Sequence, residues 1–203
     1  YVIYTSGTTG RPKGAGNTHQ GIVNLAVSQT SQFSVSLSSR VLQFASLAFD
    51  AFAWEWVAAL MQGAGLVLIN DPGIRTNEEL FKAFCSKNKV THALLSPKFV
   101  ESVDPDILTS FDELIVGGDV VTREIVDRLG SSVNIFNAYG PTEASVYSSL
   151  SRSLRGSLQS VDRETRVTIG SPISNTQIYV LDASLNPLPI GSVGELYISG
   201  VGL

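Results

Sequence analysis

Short apolar runs alternate with helical patterns over the first 150 residues, and this alternation restricts the fold more than any other feature of the sequence. Tyr1–Thr5, Val41–Ala45, Gly65–Ile69, Val90–Leu95, Glu113–Val116 and Val133–Phe136 read as strands. Helical patterns lie between several of them. One runs from Thr18 to about Gln29, with Ile22, Val23, Leu25 and Ala26 on one side. Phe52–Gln62 is a largely apolar helix ended by Gly63. Thr76-Asn77-Glu78-Glu79 reads as a capping box with Thr76 as N-cap. It opens a helix to about Lys87, with Leu80, Phe81 and Phe84 facing inward. Thr122 caps a helix that Gly130 stops after Leu129. The Ser-rich stretch Ser34–Arg40 is a loop, and Asp71-Pro72-Gly73 is a turn.

Strands and helices in alternation specify an α/β fold, a mostly parallel sheet with helices on both faces. Ligands on such sheets bind beyond the carboxyl ends of the strands. After about Leu150 the pattern changes. Ser151–Ser160 is a polar loop, and Gln177–Leu181 and Glu195–Ser199 alternate as strands, with turns at Pro187–Pro189 and Gly191. Residues 1–150 are thus expected to form one α/β subdomain, and residues 151–203 the start of a β-rich lobe of the same, incomplete domain. The chain opens inside a strand and stops at Gly200-Val201-Gly202-Leu203 without a closing element. That suggests an internal piece of a longer polypeptide.

Beyond strand Tyr1–Thr5 lies Tyr4-Thr5-Ser6-Gly7-Thr8-Thr9-Gly10-Arg11-Pro12-Lys13-Gly14. Glycines let backbone N–H groups turn inward, hydroxyls donate to phosphate oxygens, and lysine supplies a point charge. A strand, a Gly-rich loop and a helix in this order suit a phosphate cradle. The stretch is not a Walker loop. Counted from Gly7, Pro12 stands where that motif needs its second glycine, and Gly14 where it needs Ser or Thr. A second stretch follows the last α/β strand: Asn137-Ala138-Tyr139-Gly140-Pro141-Thr142-Glu143. Its aromatic face can stack on a base, its carboxamide offers a donor and an acceptor, and its carboxylate suits Mg²⁺ alongside phosphates. Read blandly, it is a Gly-Pro turn opening a helix.

A net charge of −4 with no basic stripe argues against a nucleic-acid partner. No apolar run reaches the length of a membrane span. The single cysteine, Cys85, permits no internal disulfide, fits a reducing, cytoplasmic setting, and sits in a helical pattern as a packed residue. His19 and His92 read as a helix-start and a strand-edge residue, and neither is needed as a base.

The first stretch resembles the phosphate loop of the adenylate-forming superfamily, YTSG[ST]TGxPKG, at every fixed position. The second resembles the NxYGPTE signature of nonribosomal peptide synthetase adenylation domains. Phe49-Asp50-Ala51 resembles the start of that family's FDxS region, with Phe52 where Ser is usual. Residues Ile169 to Thr176 are similar to its IGxPIxNT block, and Gly194 to Gly200 to the opening of its GELxIxGxGLARGY block. The resemblance covers nearly the whole chain, in the family's order. It implies an ATP-dependent ligase that activates an amino acid as an aminoacyl-adenylate, releases pyrophosphate, and loads a carrier-protein thiol in peptide secondary metabolism.

Carried over residue by residue, Thr5, Ser6, Gly7, Thr8, Thr9, Gly10 and Lys13 would hold the β- and γ-phosphates. Asn137, Ala138 and Tyr139 would meet adenine, with Gly118 near the ring plane. Thr142 would touch the α-phosphate and Glu143 would ligate Mg²⁺. Asp50 would pair with the substrate ammonium. Its alternative role is to cap the helix beginning near Phe52. Phe49, Ala51, Trp54, Lys98, Ile115, Gly117, Ala138, Val146 and Tyr147 would complete the substrate pocket. Small Gly117 and Ala138 with Trp54 and Ile115 favour an apolar or aromatic side chain. Lys98 leaves two readings open: it selects an acidic or amide side chain, or its head reaches solvent. The implied cofactors are ATP and Mg²⁺, with phosphopantetheine on a partner carrier domain beside the other synthetase domains. The family's ribose-binding Asp, hinge and C-terminal lobe with its lysine do not occur in these residues, so the chain alone is expected to be weakly active or inactive. Two alternatives remain: an acyl-CoA synthetase-like enzyme, and a non-catalytic nucleotide-binding remnant.

Overall fold

The computed structural model describes residues 1–6, 10–154 and 167–203. Gly7, Thr8, Thr9 and the 155–160 part of the expected polar loop lie outside the described residues.

A seven-stranded sheet forms the centre, in the order β4-β3-β5-β6-β7-β8-β9. Strands β3 (Arg40–Gln43), β4 (Gly65–Leu68), β5 (His92–Leu95), β6 (Glu113–Gly117) and β7 (Asn134–Tyr139) run parallel. Every residue of β5 and β6 is buried. Parallel strands covered on both faces need such continuous runs, because both sides of the pleat meet helices.

Alternate residues of these strands feed two cores. Leu42, Ala93, Leu95, Leu114, Val116 and Ile135 pack on one face. There they meet α3 (Glu78–Asn88), α4 (Pro97–Ser102), α5 (Pro105–Leu108) and α6 (Arg123–Leu129). Val41, Leu94, Ile115, Phe136 and Ala138 pack on the other, against α1 (His19–Gln32) and α2 (Ala51–Leu60). Each fully buried apolar side chain contributes about 1.5–3 kcal/mol of transfer free energy. The mostly parallel α/β sheet read from the sequence is therefore present, with its helices on both faces. Cys85 is packed in the first core, and burial pushes its thiol up to about 12.

Several local expectations change. Tyr1–Thr5 does not join the parallel sheet. Its strand β1 (Val2–Thr5) pairs antiparallel with β2 (Lys13–Gly16), so the Gly-rich stretch closes a hairpin instead of leading straight into a helix. A Cβ at Gly14 would stand 3.2 Å from Val2 Cγ1, so glycine leaves room for that side chain on the pairing face. The N-cap of α3 is Asn77, whose side chain accepts from Leu80 N. Thr76 instead ends a 3₁₀ turn, Pro72–Arg75, that Asp71 opens. Two short helices, α4 and α5, went unread. Each starts from a Ser or Asp cap followed by Pro at the first helical position.

Short strands β8 (Ser149–Leu150) and β9 (Ser171–Pro172) extend the large sheet antiparallel beyond β7. Strands β10 (Thr176–Leu181) and β11 (Glu195–Gly200) form a separate antiparallel ribbon. His92 is buried at the start of central strand β5, not at an edge. Its Nε2 lies 3.3 Å from Glu113 Oε2, and Glu113 also accepts from Ser34 N.

Candidate active site

Beyond the carboxyl ends of β6 and β7 the chain opens a cleft of about 340 Å³. Gly118, Asn137, Ala138, Tyr139 and Gly140 line it, together with Asp119, Val120, Val121, Val167 and Ile169. The volume falls within the range of small-molecule sites, roughly 300–1,000 Å³. Gly118 turns at φ 87°, and no atom lies within 4 Å of where its Cβ would stand, so the backbone leaves open space at the cleft floor. Tyr139 ends β7 with its ring partly exposed. Asn137 is buried, and its Nδ2 donates to Thr168 O at 2.9 Å. One N–H of the carboxamide is engaged in this way, and its oxygen and second N–H remain for a ligand. The apolar walls Val120, Val121 and Val167 escaped the sequence reading, because they sit in loops without a motif, whereas Ile169 opens the block read from Ile169 to Thr176.

Gly140 has a steric reason. A Cβ there would lie 2.4 Å from Tyr147 Cα and 2.6 Å from Ser148 N, where the chain folds back so that Ser148 N donates to Tyr139 O. The next residues make a 3₁₀ turn, Thr142–Ala144, on which Thr142 is half-buried and Glu143 exposed. Across from it stands Asp50 at the start of α2. Asp50 makes no capping hydrogen bond to that helix. Burial raises its pKa above the ordinary carboxylate value. The Thr142 hydroxyl and the Ala51 and Asp50 amides pull it back, and the charge of Glu143 raises it again. The buried Tyr1 hydroxyl has no hydrogen-bond partner, and burial and the Asp50 charge both raise its pKa. The structure thus brings Asp50, Thr142 and Glu143 together as a carboxylate-rich rim facing a phenol.

Trp54, Ile115, Ala138, Val146 and Tyr147 gather in the core beneath α1 and α2, with Ala51 packed against them and Gly117 buried beside Ala138. Tyr147 OH donates to Gln32 Oε1 at 3.1 Å. Burial pushes this phenol up, and neighbouring Trp54 and Gln29 oppose the shift. Trp54 Nε1 and both polar atoms of Gln29 are buried outside hydrogen-bonding geometry. Two residues do not join this group: Lys98 is exposed on α4, and Phe49 is exposed ahead of α2.

On the hairpin, Thr5 is half-buried and donates to Lys13 O, while Ser6, Gly10 (φ 81°) and Lys13 are exposed. Among the described residues no group of three or more His, Cys, Asp or Glu is placed to hold a metal by itself. A lone exposed carboxylate such as Glu143 fits Mg²⁺ of the kind held mainly by phosphates and water. Asn17, for which the sequence carried no motif, joins the hairpin to the Glu143 turn.

The AMP-binding enzyme family matches residues 1–203. Malpinin synthetase of Mortierella alpina is 42% identical over 209 residues, covering 100% of this chain and 3% of the relative. The Klebsiella oxytoca NpsA N-terminal subdomain, solved with 3-hydroxybenzoyl-AMSN, superposes with a TM-score of 0.83 at 30% identity. The match covers 100% of this chain and 52% of that one. An NRPS protein containing adenylation and PCP domains, in its holo form with a vinylsulfonamide inhibitor, gives a TM-score of 0.88 at 29% identity, over 100% and 35% of the two chains. The chain therefore spans a small fraction of the malpinin synthetase and about half of the NpsA subdomain.

Proposed function

The chain belongs to the AMP-binding enzyme family, and from that premise we propose that its parent polypeptide activates an α-amino acid with ATP. The products are an aminoacyl-adenylate and pyrophosphate, and the aminoacyl group then passes to a carrier-domain thiol. One observation carries this reading: Asp50 is a half-buried carboxylate with no salt-bridge partner among the described residues, hydrogen-bonded to Thr142 and facing Glu143. Such a group calls for a cation, and a substrate ammonium supplies one.

In this reading the cleft at Gly118, Asn137 and Tyr139 takes adenine. Tyr139 offers a stacking face, and Asn137 presents its free oxygen to the exocyclic amine. The hairpin, with Thr5, Ser6, Gly10 and Lys13 and also Gly7, Thr8 and Thr9, holds phosphates. Thr142 and Glu143 serve the α-phosphate and Mg²⁺. ATP bound there supplies the electrophilic phosphorus and a pyrophosphate leaving group. A substrate carboxylate oxygen forms the new P–O bond as the bond to pyrophosphate breaks, with no net proton transfer. The protein's share is therefore positioning and charge placement. Ala51, Trp54, Ile115, Gly117, Ala138, Val146 and Tyr147 accommodate the side chain, apolar or aromatic in class. The exposed position of Lys98 supports its solvent-facing reading. The separate β10–β11 ribbon supports dividing the chain near residue 150, although β9 still belongs to the large sheet. The solved relative with adenylation and PCP domains supports a carrier partner. No helix among the described residues is long and apolar enough to cross a membrane, and a cytoplasmic location completes the proposal.

A second reading has one observation behind it: the Klebsiella oxytoca subdomain was solved with a 3-hydroxybenzoyl ligand, which has no α-amino group. ATP–pyrophosphate exchange by the full parent polypeptide, over a panel of amino acids and aryl acids, separates the two. Exchange is expected with one apolar or aromatic amino acid, and Asp50→Asn should lower it on the order of 100-fold or more. Exchange with aryl acids alone, or an unaltered Asp50→Asn enzyme, would overturn the amino-acid reading.

A further inference from the structure

The hairpin β1–β2 lies outside the seven-stranded sheet, so no sheet hydrogen bond sets its attitude toward the cleft. Asn17, the residue directly after β2, closes the hairpin base: its N–H donates to Tyr1 O at 2.9 Å, and its own carbonyl accepts from Tyr1 N at 3.1 Å. Its side chain, only 7% exposed, reaches the other way. Nδ2 donates to Thr142 O at 3.0 Å, and Oδ1 accepts from Ser145 N at 3.0 Å. One carboxamide thus spans both ends of the turn that carries Glu143. Among the described residues, the hydrogen bonds from the hairpin to this turn all run through Asn17. Ser145, held at φ 54°, also donates to Gly202 O at 2.7 Å, which ties the turn to the end of the β10–β11 ribbon.

We infer that Asn17 is a positioning residue that sets the phosphate hairpin against the Thr142–Glu143 turn. Two catalytic segments 125 residues apart in sequence then meet MgATP in one fixed geometry. The inference rests on the reading above. The chemistry needs a side chain with a donor and an acceptor on one short stem. Asp keeps the acceptor, but its second oxygen faces the Thr142 carbonyl with no proton to give. Ser cannot reach both ends of the turn. Gln places the amide one methylene too far. Asn17 lies outside the cleft lining and the Trp54–Tyr147 core, so its loss should act first on nucleotide handling and reach the amino-acid side only weakly, through Thr142 and Tyr1 beside Asp50.

The test uses the full parent polypeptide with Asn17→Ala, Asn17→Asp, and Thr18→Ala as a matched control. Thr18 is the neighbouring residue, and its Oγ1 caps α1 by accepting from Gly21 N at 3.1 Å, a structural task only. In ATP–pyrophosphate exchange, both Asn17 variants should lose about 10- to 100-fold in kcat/KM for MgATP, with the amino-acid KM changed by about twofold or less. Thr18→Ala should lower the thermal midpoint while keeping both kinetic constants. Should Asn17→Ala not fold, the isosteric Asn17→Asp carries the same expectation. Wild-type constants in Asn17→Asp, or losses that only follow the midpoint as in Thr18→Ala, overturn the inference. If the wild-type enzyme exchanges with no amino acid, the functional reading has failed, and calorimetric MgATP binding decides about Asn17. Weaker binding in the Asn17 variants upholds it, and equal binding, or none by the wild type, overturns it.

Discussion

The helices on the two faces of the sheet bury different chemistry. Helices α3 to α6 bury Phe81, Cys85, Pro97, Val100, Ile107, Leu108, Ile125, Val126 and Leu129, with no polar or charged side chain among them. Helices α1 and α2, on the opposite face, bury Asn24, Ser28, Gln29 and Glu55 among their apolar residues. The strands between are shared, each giving alternate residues to either side. A buried polar group costs free energy unless it is paired, so the helices of the first face bury only stabilising side chains. On the second, Asn24 and Glu55 are paired, and the side-chain polar atoms of Ser28 and Gln29 carry that cost next to the proposed substrate group, where Asp50, Trp54 and Tyr147 also lie. The polar load of the helices is therefore segregated by face, while the cleft beyond the strand ends draws Val121 and Val167 from the first core.

The largest expected effect tests whether the first face is purely structural. Phe81 is fully buried and packs edge-on against Phe44 and Phe99, with centroids 6.0 and 5.1 Å away. Phe81→Ala should cost about 3–5 kcal/mol in urea denaturation. At a temperature where the variant stays folded, every KM should remain that of the wild type. Trp54→Ala, equally buried on the second face, should cost a similar amount and also change which amino acids support exchange. A changed substrate preference in Phe81→Ala would break the division between the faces.

The next effect is smaller and depends on pH. Burial raises Glu55 to about 7, against the lowering influence of the Ala45 and Phe44 amides, Gln43 and Arg75. Both amides donate to Oε1, at 2.8 and 2.9 Å. Since the folded value lies above the ordinary 4.5, the native state takes up this proton more readily than the unfolded chain. The resulting stability is complete below about pH 4.5 and is lost as pH rises through about 7. It amounts to at most about 3 kcal/mol. Chemical denaturation from pH 5 to 8 should show this slope in the wild type and a flatter one in Glu55→Gln. Equal slopes would mean that the polar burial on this face is not an electrostatic cost.

The same contrast explains what could be read from the sequence. Helix α6 was legible at both ends: Thr122 accepts from Ile125 N, and Gly130 closes the helix at φ 62°. Central strands β5 and β6 were legible as continuous apolar runs. Helix α1 misled in its facing, because apolar periodicity assumes that the buried side is the apolar one. The structure leaves Val23 and Val27 exposed and buries Asn24, Ser28 and Gln29. At the site, Gly118, Asn137 and Tyr139 line the cleft together, since Gly118 directly follows β6 and Asn137 and Tyr139 lie at the carboxyl end of β7. The Asn17 bridge was not legible, because it depends on a contact between segments 125 residues apart, and the β1–β2 hairpin was missed because Lys13–Gly16 carries two glycines and no apolar alternation to mark a strand.

The finest test concerns the closest approach on the second face. Helices α3 to α6 contain no glycine, whereas α1 carries Gly21 in its first turn. A Cβ at Gly21 would stand 2.2 Å from Ser145 Oγ and 3.3 Å from Ser145 Cβ. In an open helix, Gly→Ala gains roughly 0.5–1 kcal/mol. Here the methyl must displace Ser145, whose hydroxyl is held by Gly202 O and whose N–H is held by Asn17, so overpacking of about 1–3 kcal/mol should outweigh that gain. Gly21→Ala is therefore expected to lower the denaturation midpoint by a net amount of about 1–2 kcal/mol and to raise the KM for MgATP, because the displaced residue ends the Glu143 turn. Ser145→Gly removes the obstructing side chain at a position whose positive φ suits glycine. Combined with Gly21→Ala, it should recover stability beyond the sum of the single changes, a coupling that a double-mutant cycle measures directly. A stabilised Gly21→Ala single variant would show that α1 and the turn are not in register at this contact. The polar face would then owe its character to the substrate group alone.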